Sequence, residues 1–213
     1  MSVIAEVKRR SPSKGDIRVD LDPAKLAKQY QDGHASCISV LTDEPHFGGS
    51  ASDLVSARQA VALPVLRKDF TVDDRDVMDA AVMGADAVLL IVAALSDEEL
   101  FRFVALAGTL GLAALVEVHD EVELRRALAA GSTLIGVNQR DLRTFEVDVR
   151  RAERVAALLP SHVVAVAESG IAGAADARRC AEAGYRAVLV GEHLVRSTEP
   201  LVALDELRVA LPS

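Results

Sequence analysis

The 213-residue sequence contains no tryptophan, and aromatic residues make up only 3% of it. Large rings therefore cannot fill the core, although hydrophobic residues account for 50% of the chain. The core must be built mainly from alanine, valine and leucine, which suit parallel strands covered by helices on both faces. The composition favours an α/β protein with enough apolar material for one large core.

Cysteine is scarce, and clustered metal ligands are missing. The two cysteines, Cys37 and Cys180, lie far apart in the sequence. This spacing is typical of a reduced, cytoplasmic protein and not of a disulfide framework. The five histidines are scattered without ligand spacing, so no metal site is expected.

Excess positive charge and long apolar runs are also lacking. The net charge of −8 argues against a nucleic-acid or anionic-membrane surface. The longest apolar run, residues 87–95, is far shorter than the ~20 residues that span a bilayer, and no signal-peptide pattern precedes it. We therefore expect a soluble protein. Backbone amides can still bind an anion locally, so a phosphorylated substrate is not excluded.

The sequence does contain eight apolar runs, each followed by a helical pattern. The predicted strands cover residues 3–8, 37–41, 65–70, 87–93, 113–117, 134–138, 163–167 and 187–190. Repeated β-α units imply a parallel sheet with right-handed crossovers, and eight of them favour a closed barrel over an open sheet. No Gly-x-Gly-x-x-Gly follows the first strand, which argues against a Rossmann fold. We predict a single (β/α)8 TIM barrel over residues 1–213.

The ends of the predicted helices carry residues that are typical of helix caps. Asp22 and Ser96 are predicted to cap the helices that follow them. Glycine follows five predicted helices, where a left-handed residue is wanted. These glycines are Gly33, Gly84, Gly111, Gly131 and Gly184.

Several predicted strands end in polar side chains. A barrel enzyme keeps its active site at the carboxyl ends of its strands, and strand alternation predicts which side chains face the interior. Six such residues are predicted to converge on one pocket: Glu6, Lys8, Lys68, Glu117, Asn138 and Glu168. Neighbouring ammonium and carboxylate groups can have pKa values pushed apart, which supplies a general acid and a general base. The alternative is an ion-pair network that merely closes the barrel, which explains one or two of these residues more easily than six.

Glycine turns follow the last two strands. The loops after strands 7 and 8 form the usual phosphate site of this fold, and here they contain Ser169-Gly170 and Gly191-Glu192. Either glycine alone is compatible with an ordinary turn, but the pair favours phosphate. The polar loop after strand 1, residues 11–15, is suited to fold over a substrate.

At these positions the chain closely resembles the indole-3-glycerol-phosphate synthase family. The matching segments span the chain in family order. They are Ile4-Ala-Glu-Val-Lys-Arg-Arg-Ser-Pro-Ser-Lys-Gly15, Ser39-Val-Leu-Thr-Asp43, Phe47-Gly-Gly-Ser50, Pro64-Val-Leu-Arg-Lys-Asp-Phe70, Leu89-Leu-Ile-Val92, Leu115-Val-Glu-Val-His119, Gly136-Val-Asn-Gln-Arg-Asp-Leu142, Ala167-Glu-Ser-Gly-Ile171 and Val188-Leu-Val-Gly-Glu192. The resemblance implies closure of 1-(2-carboxyphenylamino)-1-deoxyribulose 5-phosphate to indole-3-glycerol phosphate, with loss of CO2 and water, in tryptophan biosynthesis. It implies no cofactor, and it allows association with other enzymes of that pathway.

The resemblance also implies roles for individual residues. Lys68 looks like the general acid that protonates the substrate carbonyl, Glu117 like its acid/base partner in the dehydration, and Lys8 like the lysine that holds the anthranilate carboxylate. The residues implied to orient the substrate and the lysines are Glu6, Asn138 and Glu168. Those implied to form apolar walls are Phe47, Phe70, Leu89 and Leu189. Those implied to contact the substrate or its phosphate are Ser11, Arg140, Ser169, Gly170, Gly191 and Glu192.

The sequence departs from the family pattern in a few places. Family members normally carry a helical extension before the first strand, whereas this sequence begins almost at that strand, so weaker substrate binding is expected. Arg10, Gln139 and His193 replace a small residue, an asparagine and a serine. Two alternatives remain open: another phosphate-binding barrel of the pathway, such as phosphoribosylanthranilate isomerase, whose cysteine–aspartate pair is not found here, and a non-catalytic paralogue or fragment.

Overall fold

The structure is a computed structural model, and it describes residues 1–140 and 146–211. Its strands are β1 (Ser2–Val7), β2 (Arg10–Ser11), β3 (Gly15–Asp16), β4 (Cys37–Leu41), β5 (Val65–Lys68), β6 (Ala87–Ile91), β7 (Ala113–Val118), β8 (Leu134–Asn138), β9 (Val164–Glu168) and β10 (Ala187–Val190). Its helices are α1 (Pro23–Asp32), α2 (Glu44–Phe47), α3 (Ala51–Ala60), α4 (Asp74–Val82), α5 (Asp97–Thr109), α6 (Glu121–Ala129), α7 (Val149–Ala156), α8 (Ala174–Glu182), α9 (Glu192–Arg196) and α10 (Pro200–Leu207).

Eight parallel strands close into a barrel in the order β1-β10-β9-β8-β7-β6-β5-β4. Strand β1 completes the closure because it pairs in parallel with both β10 and β4. The predicted (β/α)8 TIM barrel is therefore confirmed. Among the helices in the described ranges, none is long and apolar enough to cross a membrane.

The barrel contains two apolar layers. Its interior is filled by one row of buried side chains from alternate strand positions: Leu66, Leu89, Ile91, Leu115, Val166, Ala187 and Leu189. The other strand faces pack against the helices in a larger cluster that includes Ile38, Leu90, Phe103 and Leu124. The inner row is the one that the polar strand ends continue, so it forms the floor of the barrel mouth.

Strand β1 stops at Val7, one residue before the predicted end at Lys8, and two further strand ends were predicted too long. Strand β5 stops at Lys68 because the Asp69 carboxylate accepts a hydrogen bond from the backbone N–H of Phe70, at 2.8 Å, and turns the chain out of the sheet. Strand β6 stops at Ile91, and residues Val92–Ala94 form a 3₁₀ turn. All three corrections shorten a strand at the mouth.

Three short elements were not predicted from the sequence, and one of them is helix α9, which follows β10. The loop after β1 folds back as the antiparallel hairpin of β2 and β3, and the single-turn helix α2 follows β4. Asp43 accepts hydrogen bonds from the backbone N–H groups of His46 and Phe47, at 2.7 and 3.1 Å, and so caps α2. A helix of one turn has no apolar period, so periodicity does not detect it.

Most of the predicted helix-capping residues are confirmed. Asp22 and Ser96 cap α1 and α5, and Ser96 forms a capping box with Glu99. Four of the five glycines have positive φ angles of 75° to 100°: Gly84, Gly111, Gly131 and Gly184.

Gly33 is the exception, because its φ is −81° and the left-handed residue is His34. Space is what requires glycine at this position. A Cβ atom on Gly33 would lie 2.7 Å from Cδ1 of Leu204, which is fully buried, and 3.4 Å from Cα of Leu201.

We therefore expect Gly33→Ala to destabilise the fold by about 1–3 kcal/mol through overpacking between α1 and α10. Gly108→Ala is the matched control, since a Cβ at this exposed position in α5 meets nothing within 4 Å. The control should be neutral or stabilising by about 0.5–1 kcal/mol. Urea unfolding of both variants tests this. Equal midpoints would contradict the packing explanation.

Candidate active site

A cavity of about 980 Å³ opens at the carboxyl ends of the barrel strands. All sixteen residues that the sequence assigned to catalysis, substrate binding or phosphate binding line it. The structure thus brings the sixteen residues together, while the individual roles given to them remain predictions. Among the residues described, no cluster of three or more His, Cys, Asp and Glu side chains is arranged to hold a metal ion.

Lys68 is the centre of the polar cluster at the floor of the cavity. Its Nζ atom donates to Oε2 of Glu117 at 3.0 Å and to Oε2 of Glu168 at 2.6 Å. Asn138 donates from Nδ2 to the other oxygen of Glu117, at 3.1 Å. The four residues come from β5, β7, β8 and β9, so barrel closure is what assembles them.

Burial and charge act on Lys68 in opposite directions. Burial alone would lower its pKa, because it penalises the charged form. The carboxylates of Glu117, Glu168 and Glu6 together outweigh burial and hold the pKa above the ordinary lysine value. The ammonium group is therefore fully charged at neutral pH.

The two glutamates that share Lys68 have opposite pKa shifts. Burial, together with the charges of Glu117 and Glu6, raises the pKa of Glu168 to about 7 against the attraction of Lys68. Burial also acts to raise the pKa of Glu117, but Lys68, His119 and the Asn138 hydrogen bond outweigh it and lower that pKa. Near neutral pH Glu117 is therefore ionised, whereas Glu168, on the same lysine, is close to its own pKa.

A second ion pair lies beside this cluster. Lys8 Nζ donates to Oε1 of Glu6 at 2.6 Å, and Glu6 is buried. Gly191 leaves the room for this pair, because a Cβ there would lie 2.4 Å from Glu6 Oε1 and 3.0 Å from Lys8 Nζ. The role of Gly191 is therefore wider than the phosphate contact that the sequence suggested.

Gly136 is a site residue that the sequence reading missed. It lies inside β8, and a Cβ on it would lie only 2.1 Å from Oε1 of Glu168. Glycine in a strand interior often marks a close approach of another group, and that signal was available in the sequence. Gly136 provides the space that Glu168 occupies.

The outward face of β5 was also overlooked. Arg67 is 7% exposed and donates to Oγ1 of Thr42 at 3.3 Å, to Oδ2 of Asp69 at 3.1 Å and to the backbone oxygen of Asp76 at 2.6 Å. These bonds tie the end of β5 to β4 and α4. They fix the backbone that carries Lys68 from the side opposite the cavity.

The apolar walls divide into a floor and a rim. Leu89 and Leu189 are buried in the barrel interior and form the floor. Phe47 is half-buried, and Phe70 is 45% exposed at the rim, where its ring meets His46 edge to face at 6.2 Å. An aromatic substrate ring would have leucine beneath it and phenylalanine beside it.

The loop after β9 turns through two left-handed residues, Ser169 and Gly170, with φ angles of 66° and 68°. A left-handed serine is uncommon, and the side chain of Gln139 supports it by donating to the Ser169 carbonyl at 2.9 Å. After β10, Glu192 pairs with Arg196 at 3.2 Å. Any anion contact from Glu192 therefore comes from its backbone amide.

The hairpin of β2 and β3 lies against the cavity, which Ser11, Ser13 and Lys14 line. Arg10, one of the departures from the family pattern, donates to the backbone oxygen of Pro45 in α2. This bond joins the hairpin to the helix that carries Phe47. In the quoted segment that starts at Gly136, Asp141 and Leu142 lie outside the described residues.

Comparisons with known proteins show which family the chain resembles. A family model for indole-3-glycerol phosphate synthase matches residues 1–207. A protein of that name from Paenarthrobacter aurescens is 51% identical over 210 residues, which cover 99% of this chain and 77% of the relative. One from Nocardioides sp. is 55% identical over 199 residues, which cover 93% and 76%.

Solved structures show the same fold in more distant proteins. A 3-hexulose-6-phosphate synthase matches with a TM-score of 0.76 and 17% identity over 100% of both chains. A thiamine phosphate pyrophosphorylase from Pyrococcus furiosus matches with a TM-score of 0.72 and 17% identity, over 97% of this chain and 93% of the other. At such identity these matches show the barrel fold alone.

The raised pKa of Glu168 can be tested by infrared titration. The infrared band of its protonated carboxyl group should be present below, and lost above, a midpoint near pH 7, and Glu168→Gln assigns the band. Lys68→Met removes the attracting cation, so the midpoint should rise. Glu117→Gln removes a repelling anion, so the midpoint should fall. A shift in the same direction in both variants would refute this account of the charges.

Proposed function

The chain belongs to the indole-3-glycerol phosphate synthase family, and we propose that the cluster around Lys68 carries out the reaction of that family. The enzyme is a lyase of tryptophan biosynthesis that acts on a phosphorylated small molecule. It closes 1-(2-carboxyphenylamino)-1-deoxyribulose 5-phosphate to indole-3-glycerol phosphate and releases CO2 and water. The observation that carries the assignment of the site is the Lys68 ammonium group held between the buried carboxylates of Glu117 and Glu168.

Lys68 is assigned as the general acid of ring closure. The substrate carbonyl oxygen gains negative charge as the new carbon–carbon bond forms, and a cation beside it stabilises that charge. The raised pKa of Lys68 supports this role, because the side chain carries its proton at neutral pH. It gives up that proton only to a strongly basic oxygen, which is what the closing ring produces.

Glu117 is assigned as the acid/base partner in the dehydration. Its lowered pKa supports a base, since the group is ionised when substrate arrives. Asn138 fixes one carboxylate oxygen and Lys68 the other, so the carboxylate is held in one orientation. We assign Glu168 and Glu6 to positioning Lys68 and Lys8.

Lys8 is assigned to the anthranilate carboxylate, and the phenyl ring to the walls of Phe47, Phe70, Leu89 and Leu189. The pairing of Lys8 with Glu6 supports a side chain that is charged and already at the cavity surface. The phosphate is assigned to the loops after β9 and β10. The residues proposed to contact it or the sugar are Ser11, Arg140, Ser169, Gly170, Gly191 and Glu192.

The setting of the enzyme is also a proposal. We place it in the cytoplasm, with residues 1–213 acting as one catalytic domain and other enzymes of tryptophan biosynthesis as possible partners. A non-catalytic barrel is not favoured, because the chain belongs to the synthase family and one cavity contains all the charged residues assigned to catalysis. These are Lys8, Lys68, Glu6, Glu117 and Glu168.

Replacing Lys68 tests the catalytic assignment directly. Lys68→Met keeps the apolar stem and removes the charge, so kcat should fall by at least the 10²–10⁴-fold typical of a general acid. The appearance of indole fluorescence measures turnover, and circular dichroism checks the fold. A folded variant with unchanged kcat would exclude Lys68 as the acid.

Gly191→Ala tests the wider role of this glycine. The added methyl group displaces the Glu6–Lys8 pair as well as crowding the phosphate loop, so KM should rise and kcat should fall together. Gly131→Ala is the control for the loss of stability that an unfavourable backbone conformation causes. Gly131 lies at the far end of the barrel, its φ is +80°, and a Cβ there meets nothing within 4 Å. The control should lose stability without a change in kcat. A pure KM effect at Gly191 would mean that the pair is not disturbed.

A further inference from the structure

His119 lies next to Glu117, and the proposed reaction has so far assigned it no role. It follows the last residue of β7 and is 9% exposed. Its Nδ1 atom lies 3.0 Å from Oε2 of Glu123, in the first turn of α6, and the same oxygen accepts the backbone N–H of His119 at 2.7 Å. These two bonds fix the ring and place a proton on Nδ1.

The other ring nitrogen faces the catalytic carboxylate. Nε2 of His119 lies 3.4 Å from Oε1 of Glu117. It is buried, and it makes no hydrogen bond to any of the residues that the structure describes. A buried polar atom in that state calls for an explanation, and here its neighbour is the acid/base group. Glu123, His119, Glu117 and Lys68 form one continuous line.

The charged groups around His119 favour its protonated form. Glu117 faces it from the same strand and Glu123 from α6, while Arg151 acts on it from α7. Burial lowers the pKa of His119 and Arg151 lowers it further, but the hydrogen bond to Glu123 and the two carboxylate charges outweigh both, so the pKa is raised. An imidazole held by a carboxylate at Nδ1 exchanges protons through Nε2.

The proton balance of the reaction gives such a group a task. The substrate carboxylate leaves as neutral CO2, and its bonding electron pair stays on the ring. Water also leaves as a neutral molecule, so each turnover consumes one proton. A substrate that fills the mouth covers Glu117 and Lys68 on their open side, and both are otherwise buried. The proton must then come from within the protein.

We propose that His119 is a proton store for Glu117, a positioning and supply residue that does not touch the substrate. In the form of the ring that acts as the store, both nitrogens carry protons before substrate binds. During turnover the Nε2–H bond breaks and an O–H bond forms at Oε1 of Glu117, which leaves a neutral ring bonded to Glu123 through Nδ1–H. Glu117 then gives this proton to the leaving hydroxyl group, which departs as water, and returns to its carboxylate form. After product leaves, solvent in the open mouth returns a proton through Glu117 to Nε2. This inference rests on the proposed function.

Single-turnover kinetics test the store, with indole fluorescence reporting product and a pH indicator in weak buffer reporting proton uptake. In the unaltered protein, product should form first and proton uptake should lag behind it. In His119→Asn, uptake should coincide with product formation, and the chemical step should slow by roughly tenfold or more, short of the loss of a direct acid–base group. His162→Asn, an exposed histidine next to the opposite end of the barrel, should behave like the unaltered protein.

Glu123→Gln keeps an oxygen that accepts the backbone N–H but removes the charge that favours the imidazolium. The lag should therefore shorten at neutral pH and return at lower pH, which a purely structural role would not produce. This variant also covers the case in which His119→Asn fails to fold. An unchanged lag in either variant overturns the store while leaving the proposed function intact. If the unaltered protein forms no indole product, both fail.

Discussion

A charged lysine removed from water is the constraint on which the rest of this mouth depends. Burying an ammonium group costs several kcal/mol unless opposite charges lie close to it. Lys68 meets that condition with Glu117 and Glu168, and each of those carboxylates creates the same demand in turn. Asn138 donates a hydrogen bond to Glu117, and His119 lies 3.4 Å from it. The cluster therefore extends from Lys68 through Glu117 and His119 to Glu123, which is partly exposed to water.

The same constraint explains the glycines inside the barrel. Carboxylates that converge on one ammonium group need space where neighbouring strands would otherwise place side chains. Gly136 vacates the position beside Glu168, and Gly191 vacates the position beside Glu6 and Lys8. Neither glycine is needed for a left-handed turn, since neither has a positive φ. Their contribution is volume, and it allows charged groups to pack within hydrogen-bonding distance.

Strand alternation and order along the chain predicted much of this arrangement. Period-two patterns placed Glu6, Lys68, Glu117 and Glu168 on the inner face, and eight repeats predicted the closed barrel. Interactions between residues distant in the sequence were not predictable in this way. Arg67 reads as an ordinary strand residue until the fold brings Thr42 and Asp76 to it. Gly33 reads as a helix terminator until α10 packs against it.

The groups around Glu117 and Glu168 give these two glutamates opposite pKa shifts. Glu117 and Glu168 are equally buried, and both bind Lys68. Glu117 also has Asn138 and the His119 imidazole beside it, and both favour its charged form. The second oxygen of Glu168 has no hydrogen-bond partner among the described residues, and nearby carboxylates repel its charge. Glu117 is therefore held in its ionised form and Glu168 near the midpoint of its titration, although the sequence shows only two glutamates at two strand ends.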